Sequence, residues 1–196
     1  MNYYLGVDLG GTNLRTAVID TTSGKVLIQR KCPTLSSEGQ EAVTGRMIGL
    51  INEVITAASI PLTALGGIGI GVPGTPDMDQ GSIVLLTNMP GQWRNFPLKS
   101  VIENAVHLPV ALINDVRAMT LSEWKFGAGR GVDSLACIAI GTGIGGGIVL
   151  NGNLYLGIDG TAGEFGHQIV EVNGATCGCG SHGCLEMYAS GPAIAA

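Results

Sequence analysis

Three cysteines stand within eight residues in the segment Cys177-Gly178-Cys179-Gly180-Ser181-His182-Gly183-Cys184-Leu185-Glu186, and Gly163-Glu164-Phe165-Gly166-His167 precedes it. Thiolates spaced by glycines can wrap a single ion, and three cysteines with one histidine form a closed zinc set. His167 and His182 compete for the fourth place. His182 lies so close to Cys184 that a compact site would be strained, which favours His167 alongside Cys177, Cys179 and Cys184. Four protein ligands leave no open position, so the expected ion is a structural zinc. A redox or disulfide pair is the competing reading of the thiols. A zinc-bound imidazole keeps its other N–H for a second acceptor, and a sugar hydroxyl suits that place. Glu164 and Glu186 flank the cluster and could take further hydroxyls as charged acceptors.

A second chemistry is written at Asp8-Leu9-Gly10-Gly11-Thr12-Asn13-Leu14-Arg15. Two glycines and a threonine in a tight turn aim backbone N–H groups into one concavity, which suits phosphate oxygens. Asp8, at a strand end, suits a magnesium ion, held directly or through water. Arg15 either neutralises charge there or pairs with a nearby carboxylate. A plain hairpin is the alternative. The stretch from Gly141 to Gly147, with Thr142, Gly143, Gly145 and Gly146, is the natural partner for the remaining phosphates. Asn114-Asp115 follows a short apolar run. A carboxylate at the carboxyl end of a strand sits where α/β proteins place their ligands, and phosphoryl transfer to an alcohol needs a carboxylate to accept the hydroxyl proton. Asp115 fits that role with Asn114 as a positioning hydrogen-bonder. Helix capping is the competing explanation, since both residue types are favoured at N-caps.

The elements that must hold these residues follow from hydrophobic periodicity. Residues 3–8, 14–19 and 25–29 read as three consecutive strands joined by tight turns. Val43, Met47, Leu50, Ile51, Val54 and Ile55 recur at helical spacing within residues 38–59, and Pro61 closes that helix. Residues 65–72 and 110–113 read as strands, residues 98–106 and 118–126 as helices. The pattern then restarts with a strand over 135–140, a Gly141-Thr142-Gly143 turn and a strand over 147–150, and a helix begins near Gly191. The repeated strand–turn–strand points to two related lobes, residues 1–115 and 116–196, each presenting one backbone loop to a shared ligand, with chance similarity in a glycine-rich chain as the alternative.

Composition narrows the class. With 45% hydrophobic and 13% charged residues the chain of 196 is globular. A net charge of −5 and the lack of any Lys/Arg run argue against nucleic acid as a partner. Residues 134–150 are too rich in glycine for a membrane span, so no membrane partner is expected. The start, Met1-Asn2-Tyr3-Tyr4-Leu5-Gly6, has no secretory pattern, which predicts a cytoplasmic protein. Gly69-Ile70-Gly71-Val72-Pro73-Gly74 fits a dinucleotide fingerprint, as do the stretches from Gly141 and Gly178. Three hits show how little the pattern means at this glycine content; after Gly74 come Pro76 and Asp77, and after Gly146 another strand, rather than the helix such a fingerprint needs, so the reading is rejected.

Taken together, Asp8-Leu9-Gly10-Gly11-Thr12, Asn114-Asp115, Gly141-Thr142-Gly143-Ile144-Gly145-Gly146-Gly147, Gly163-Glu164-Phe165-Gly166-His167 and the Cys177 to Glu186 segment resemble the ROK family of sugar kinases and sugar-responsive repressors. The resemblance implies an α/β, actin-like (ribonuclease H-like), two-lobed ATPase fold with the sugar in the cleft and the second lobe incomplete. It implies ATP and Mg2+ as cofactors with Asp8, Gly10, Gly11, Thr12, Asn13, Arg15, Thr142, Gly143, Gly145 and Gly146 around them. Gly74, Asn88, Asn114, Asp115, Glu164, His167 and Glu186 would meet the sugar, with Asp115 as base. Structural zinc would sit on His167, Cys177, Cys179 and Cys184. The Cys-x-Cys-Gly-x-x-Gly-Cys-x-Glu form is similar to the glucokinase and N-acetylhexosamine kinase branch, so the expected reaction is phosphorylation of glucose at its 6-hydroxyl, with an N-acetylmannosamine or N-acetylglucosamine kinase as alternative. A homodimer is common among proteins of this resemblance. Many members read Ala-Asn where this chain has Val116-Arg117, and the family is typically about half again as long. A truncated, non-catalytic sugar-binding remnant is therefore the main rival. A repressor is less favoured, because the first strand begins too early to leave room for a DNA-binding module.

Overall fold

The computed structural model describes residues 2–86, 89–90, 93–158 and 160–196. The chain divides into two compact units, Met1–Asp115 and Val116–Ala196.

The first unit opens with three strands, β1 (Tyr3–Leu9), β2 (Asn13–Asp20) and β3 (Lys25–Pro33), followed by α1 (Gln40–Ala58) and β4 (Leu65–Val72). A small hairpin follows, β5 (Thr75–Asp77) with β6 (Ser82–Leu85), and then α2 (Leu98–Val106) and β7 (Val110–Asn114). The sheet order is β3-β2-β1-β4-β7. The first three strands form an antiparallel meander, and β1, β4 and β7 run parallel. Strand side chains alternate between faces, and the alternation here is strict. Leu5, Val7 and Leu9 on β1, and Leu14, Thr16 and Val18 on β2, are buried. They meet Val43, Met47, Leu50, Ile51 and Val54 from the inner face of α1, and Leu98, Ile102 and Val106 from α2, in one continuous core. Both helices end on a left-handed residue, Ser59 and His107.

The second unit carries α3 (Asp115–Phe126), which begins on the last residue of the first unit. An antiparallel meander of β8 (Leu135–Ile140), β9 (Ile144–Leu150) and β10 (Asn153–Tyr155) follows, then irregular chain, and finally the short helices α4 (Glu186–Ala189) and α5 (Gly191–Ala195). Three boundaries differ from the periodicity by three residues or more, the first being β3, which runs on to Pro33 rather than ending at 29. The returning strand starts at Ile144 rather than 147, and α3 starts at Asp115 rather than 118. Among the described residues, no helix is long and apolar enough to cross a membrane.

Candidate functional site

Asp115 is the first residue of α3 and follows the last residue of β7 directly. It is half-buried. The amino end of a helix favours negative charge, so this is a natural seat for a carboxylate. Asn114, one residue earlier, pairs in register with Val72 on β4. Its Nδ2 donates to the Gly74 carbonyl oxygen at 3.0 Å. Gly74 adopts φ +82°, and a Cβ there would collide with the Leu85 carbonyl oxygen. Only glycine makes this turn without strain. Asn114 is thus anchored through backbone that in turn depends on Gly74. Asn88, the remaining sugar-contact expectation in this unit, lies outside the described residues.

The β1–β2 turn is built as an open loop. The Gly10 N–H donates to the Asn13 carbonyl at 3.1 Å. Gly11 and Thr12 stand exposed at its tip. The turn is fastened from below by Thr34, a fully buried residue that the sequence reading missed. Its hydroxyl donates to the Gly10 carbonyl at 2.6 Å and its N–H to the Thr12 carbonyl at 2.8 Å. Strand register places Asp8 opposite Arg15, and Arg15 Nη1 donates to Asp8 Oδ2 at 3.0 Å. Of the two readings of Arg15, the carboxylate partner is the one present. Asp8 still offers the oxygen chemistry a magnesium ion takes.

In the second unit, the turn between β8 and β9 carries Thr142 and Gly143. Its Gly141 carbonyl accepts the Gly191 N–H at 2.9 Å, so the start of α5 supports it from one side. Glu186 supports it from the other, where Oε2 accepts the Ile144 N–H at 2.8 Å. Glu186 therefore holds this loop as well as being available to a ligand. Glycines allow the following chain to lie directly on β9. Gly163 has φ +91°, and a Cβ there would sit 2.8 Å from the Gly146 carbonyl oxygen. Glu164 follows, exposed, with its carboxylate 3.6 Å from Arg117.

His167, Cys177, Cys179 and Cys184 converge. One ligand atom from each lies within 4.8 Å of all the others. Cys177 Sγ is 3.8 Å from His167 Nδ1, and Cys179 Sγ is 3.7 Å from Cys184 Sγ. Ligands ~2.3 Å from a tetrahedral zinc lie ~3.7 Å apart, so these separations fit a zinc and are far too long for a disulfide. His182 is exposed and stands outside this set; its strand-like bridge to Thr176 closes the small hairpin that holds Cys177 and Cys179. The Cys177 N–H donates to the Ser181 carbonyl at 2.8 Å and the Gly180 N–H to the Cys177 carbonyl at 3.0 Å. In the metal-free chain, burial first and the neighbouring thiols next push the Cys184 thiol up to about 11. Cys179 is shifted downward, chiefly by a backbone hydrogen bond at Ser181 and then by the Cys177 side chain. Zinc on this set would fix His167, Glu186 and the intervening chain relative to one another; it would have no open position for substrate.

Comparison with known proteins agrees with this anatomy. The ROK family model matches residues 4–196. A glucokinase from Halalkalibacterium halodurans is 40% identical over 194 residues, covering 98% of this chain and 58% of that protein. The xylose repressor of Bacillus subtilis is 37% identical over 192 residues, covering 98% of this chain and 49% of that protein. The crystal structure of a ROK family glucokinase from Streptomyces griseus, in complex with glucose and AMPPNP, superposes with a TM-score of 0.84 at 37% identity, covering 98% of this chain and 58% of that one. The chain thus spans a little over half the length of the glucokinases it matches. Over that span it has their α/β, actin-like fold. By the match of its family model over nearly every residue, the chain belongs to the ROK family.

Proposed function

We propose that this chain carries the sugar- and phosphate-handling residues of an ATP-dependent hexose kinase that phosphorylates glucose at its 6-hydroxyl. The observation that carries the reading is Asp115 at the junction of β7 and α3, beside an Asn114 that is fixed to Gly74. A carboxylate held there can take the proton of a sugar hydroxyl as its oxygen attacks the γ-phosphorus of ATP, the bond from that phosphorus to the β–γ bridging oxygen breaks and ADP leaves. Phosphoryl transfer of this kind depends on positioning and charge neutralisation rather than on covalent catalysis. Asn88, Asn114, Glu164, His167 and Glu186 would hold the other hydroxyls, with Gly74 shaping the backbone beside them. The turn of Gly10, Gly11, Thr12 and Asn13 and the turn of Thr142, Gly143, Gly145 and Gly146 would receive phosphate oxygens through backbone N–H groups. Asp8 would hold Mg2+, which neutralises phosphate charge, and Arg15 would release Asp8 to contribute the same way. Zinc on His167, Cys177, Cys179 and Cys184 would be structural. The glucokinase relatives at about 40% identity support glucose over an N-acetylhexosamine.

A second reading, a sugar sensor without turnover, is favoured by the 37% identity to the xylose repressor over nearly the whole chain. Sugar-stimulated ADP release separates the two. The kinase reading expects release with ATP, Mg2+ and glucose, and less with the two N-acetylhexosamines. Saturable glucose binding without ADP release supports the sensor.

A further inference from the structure

Arg117 is a long cation whose side chain is only 5% exposed, on the first turn of α3, two residues after Asp115. Burying a guanidinium is costly unless acceptors surround it. Here the acceptors come in alternation from one stretch of irregular chain. Nη2 donates to the Gly160 carbonyl and, at 3.4 Å, to the Ala162 carbonyl, and lies 3.6 Å from Glu164 Oε1. Glu164 itself is half exposed, at 51%. The buried guanidinium thus meets the carbonyls of Gly160 and Ala162 through Nη2, while the carboxylate that closes the row faces solvent. Gly160 and Gly163 both take positive φ, and the stretch belongs to no helix or strand. Such chain has little of its own to hold its shape.

We infer that Arg117 is a positioning residue for sugar recognition: its buried guanidinium fixes residues 160–164 and presents the Glu164 carboxylate to the sugar hydroxyls. This rests on the proposed sugar role of Glu164. The arrangement asks for arginine in particular. The three contacts converge on one nitrogen, Nη2, and a delocalised, weakly hydrated guanidinium tolerates this burial better than the compact, strongly hydrated ammonium of lysine.

The test compares the zinc-loaded wild-type chain with Arg117→Lys, Arg117→Gln and Glu164→Gln. Amide hydrogen exchange is read first, without sugar. Peptides covering 157–167 should exchange about tenfold faster in both Arg117 variants, with β1 and β4 unchanged. Lysine should not rescue. Unchanged exchange in Arg117→Gln overturns the inference. Glucose titration and steady-state kinetics follow. Both Arg117 variants should raise the glucose Kd and KM by about tenfold while kcat stays within about threefold, and combining Arg117→Gln with Glu164→Gln should add little to either alone. A purely structural role would lower Tm and the active fraction and leave KM alone, which overturns the sugar half of the inference. Wild-type protein that binds no hexose overturns the proposed function and that half with it, while the exchange data still decide whether Arg117 pins the segment. Arg117→Lys is the milder variant should Arg117→Gln fail to fold.

Discussion

The two antiparallel meanders make an instructive pair. Each is strand, glycine–threonine turn, strand, strand, and in each the turn is the candidate phosphate loop. In the first, β1 and β2 bury alternate residues against α1 and α2 in a continuous core that runs from Leu5 to Leu112. In the second, no residue of β8 is buried, and Ile138 and Ile140 are 55% and 60% exposed. The buried apolar side chains described in the second unit are Ile144, Val149 and the thiols of Cys177 and Cys184. Two of those four are metal-ligand candidates. Apolar strands alone therefore do not make a core, and a layer must lie on them. The first unit is held by hydrophobic burial; the second shows glycine-to-backbone packing, the buried Arg117 guanidinium and four side chains placed so that they could hold a metal.

That contrast predicts where each unit breaks. The largest effect belongs to the metal set. A structural zinc in a small motif contributes ~10 kcal/mol at neutral pH, so chelation or Cys184→Ser should loosen residues 163–190 as a block while the first unit keeps its protection. Hydrogen exchange before and after chelation checks this, and unchanged protection of that block would remove zinc from the account. Protons and zinc compete for the same sulfur atoms, and the metal-free Cys184 thiol sits up at about 11 because of burial and its neighbours. Zinc retention should therefore weaken as pH falls from ~8 to ~6, measured by competition with a chromogenic chelator. Next in size is the core of the first unit. Leu5→Ala, at a residue only 1% exposed, should cost ~3 kcal/mol in urea unfolding. Smallest is Ile140→Ala on the second meander, which should change stability by less than ~0.5 kcal/mol. Equal losses at Leu5 and Ile140 would erase the distinction between the two meanders.

What could be read in the sequence divides along physical lines. The period of α1 was legible because burial on one face imprints spacing on the chain, and β1 and β2 were legible as short apolar runs bounded by turns. The convergence of His167, Cys177, Cys179 and Cys184 was legible because these residue types are rare and the thiols are near in sequence. The position of Asp115 at the end of a strand was legible from its place after an apolar run. The β5–β6 hairpin was not, since its first strand is three residues long and contains Pro76. The start of β9 was hidden for a different reason. Gly145, Gly146 and Gly147 look like a turn, yet they are strand residues whose missing side chains make room for Val116, Phe165 and Thr120. Arg117 stood out beside Asp115, but its carbonyl acceptors at Gly160 and Ala162 lie more than forty residues away, a separation no local pattern reports. Thr34 gave no local signal either, because its work is done on the Gly10 and Thr12 carbonyls of a different strand pair's turn.

The central claim is that Asp115 removes the proton from a hexose hydroxyl during transfer from ATP. The most direct measurement is glucose-dependent ADP release by the wild-type chain and by Asp115→Asn, with glucose binding followed in parallel. The account predicts that turnover falls by at least ~100-fold in Asp115→Asn while glucose binding survives. Equal turnover in the two proteins would contradict it.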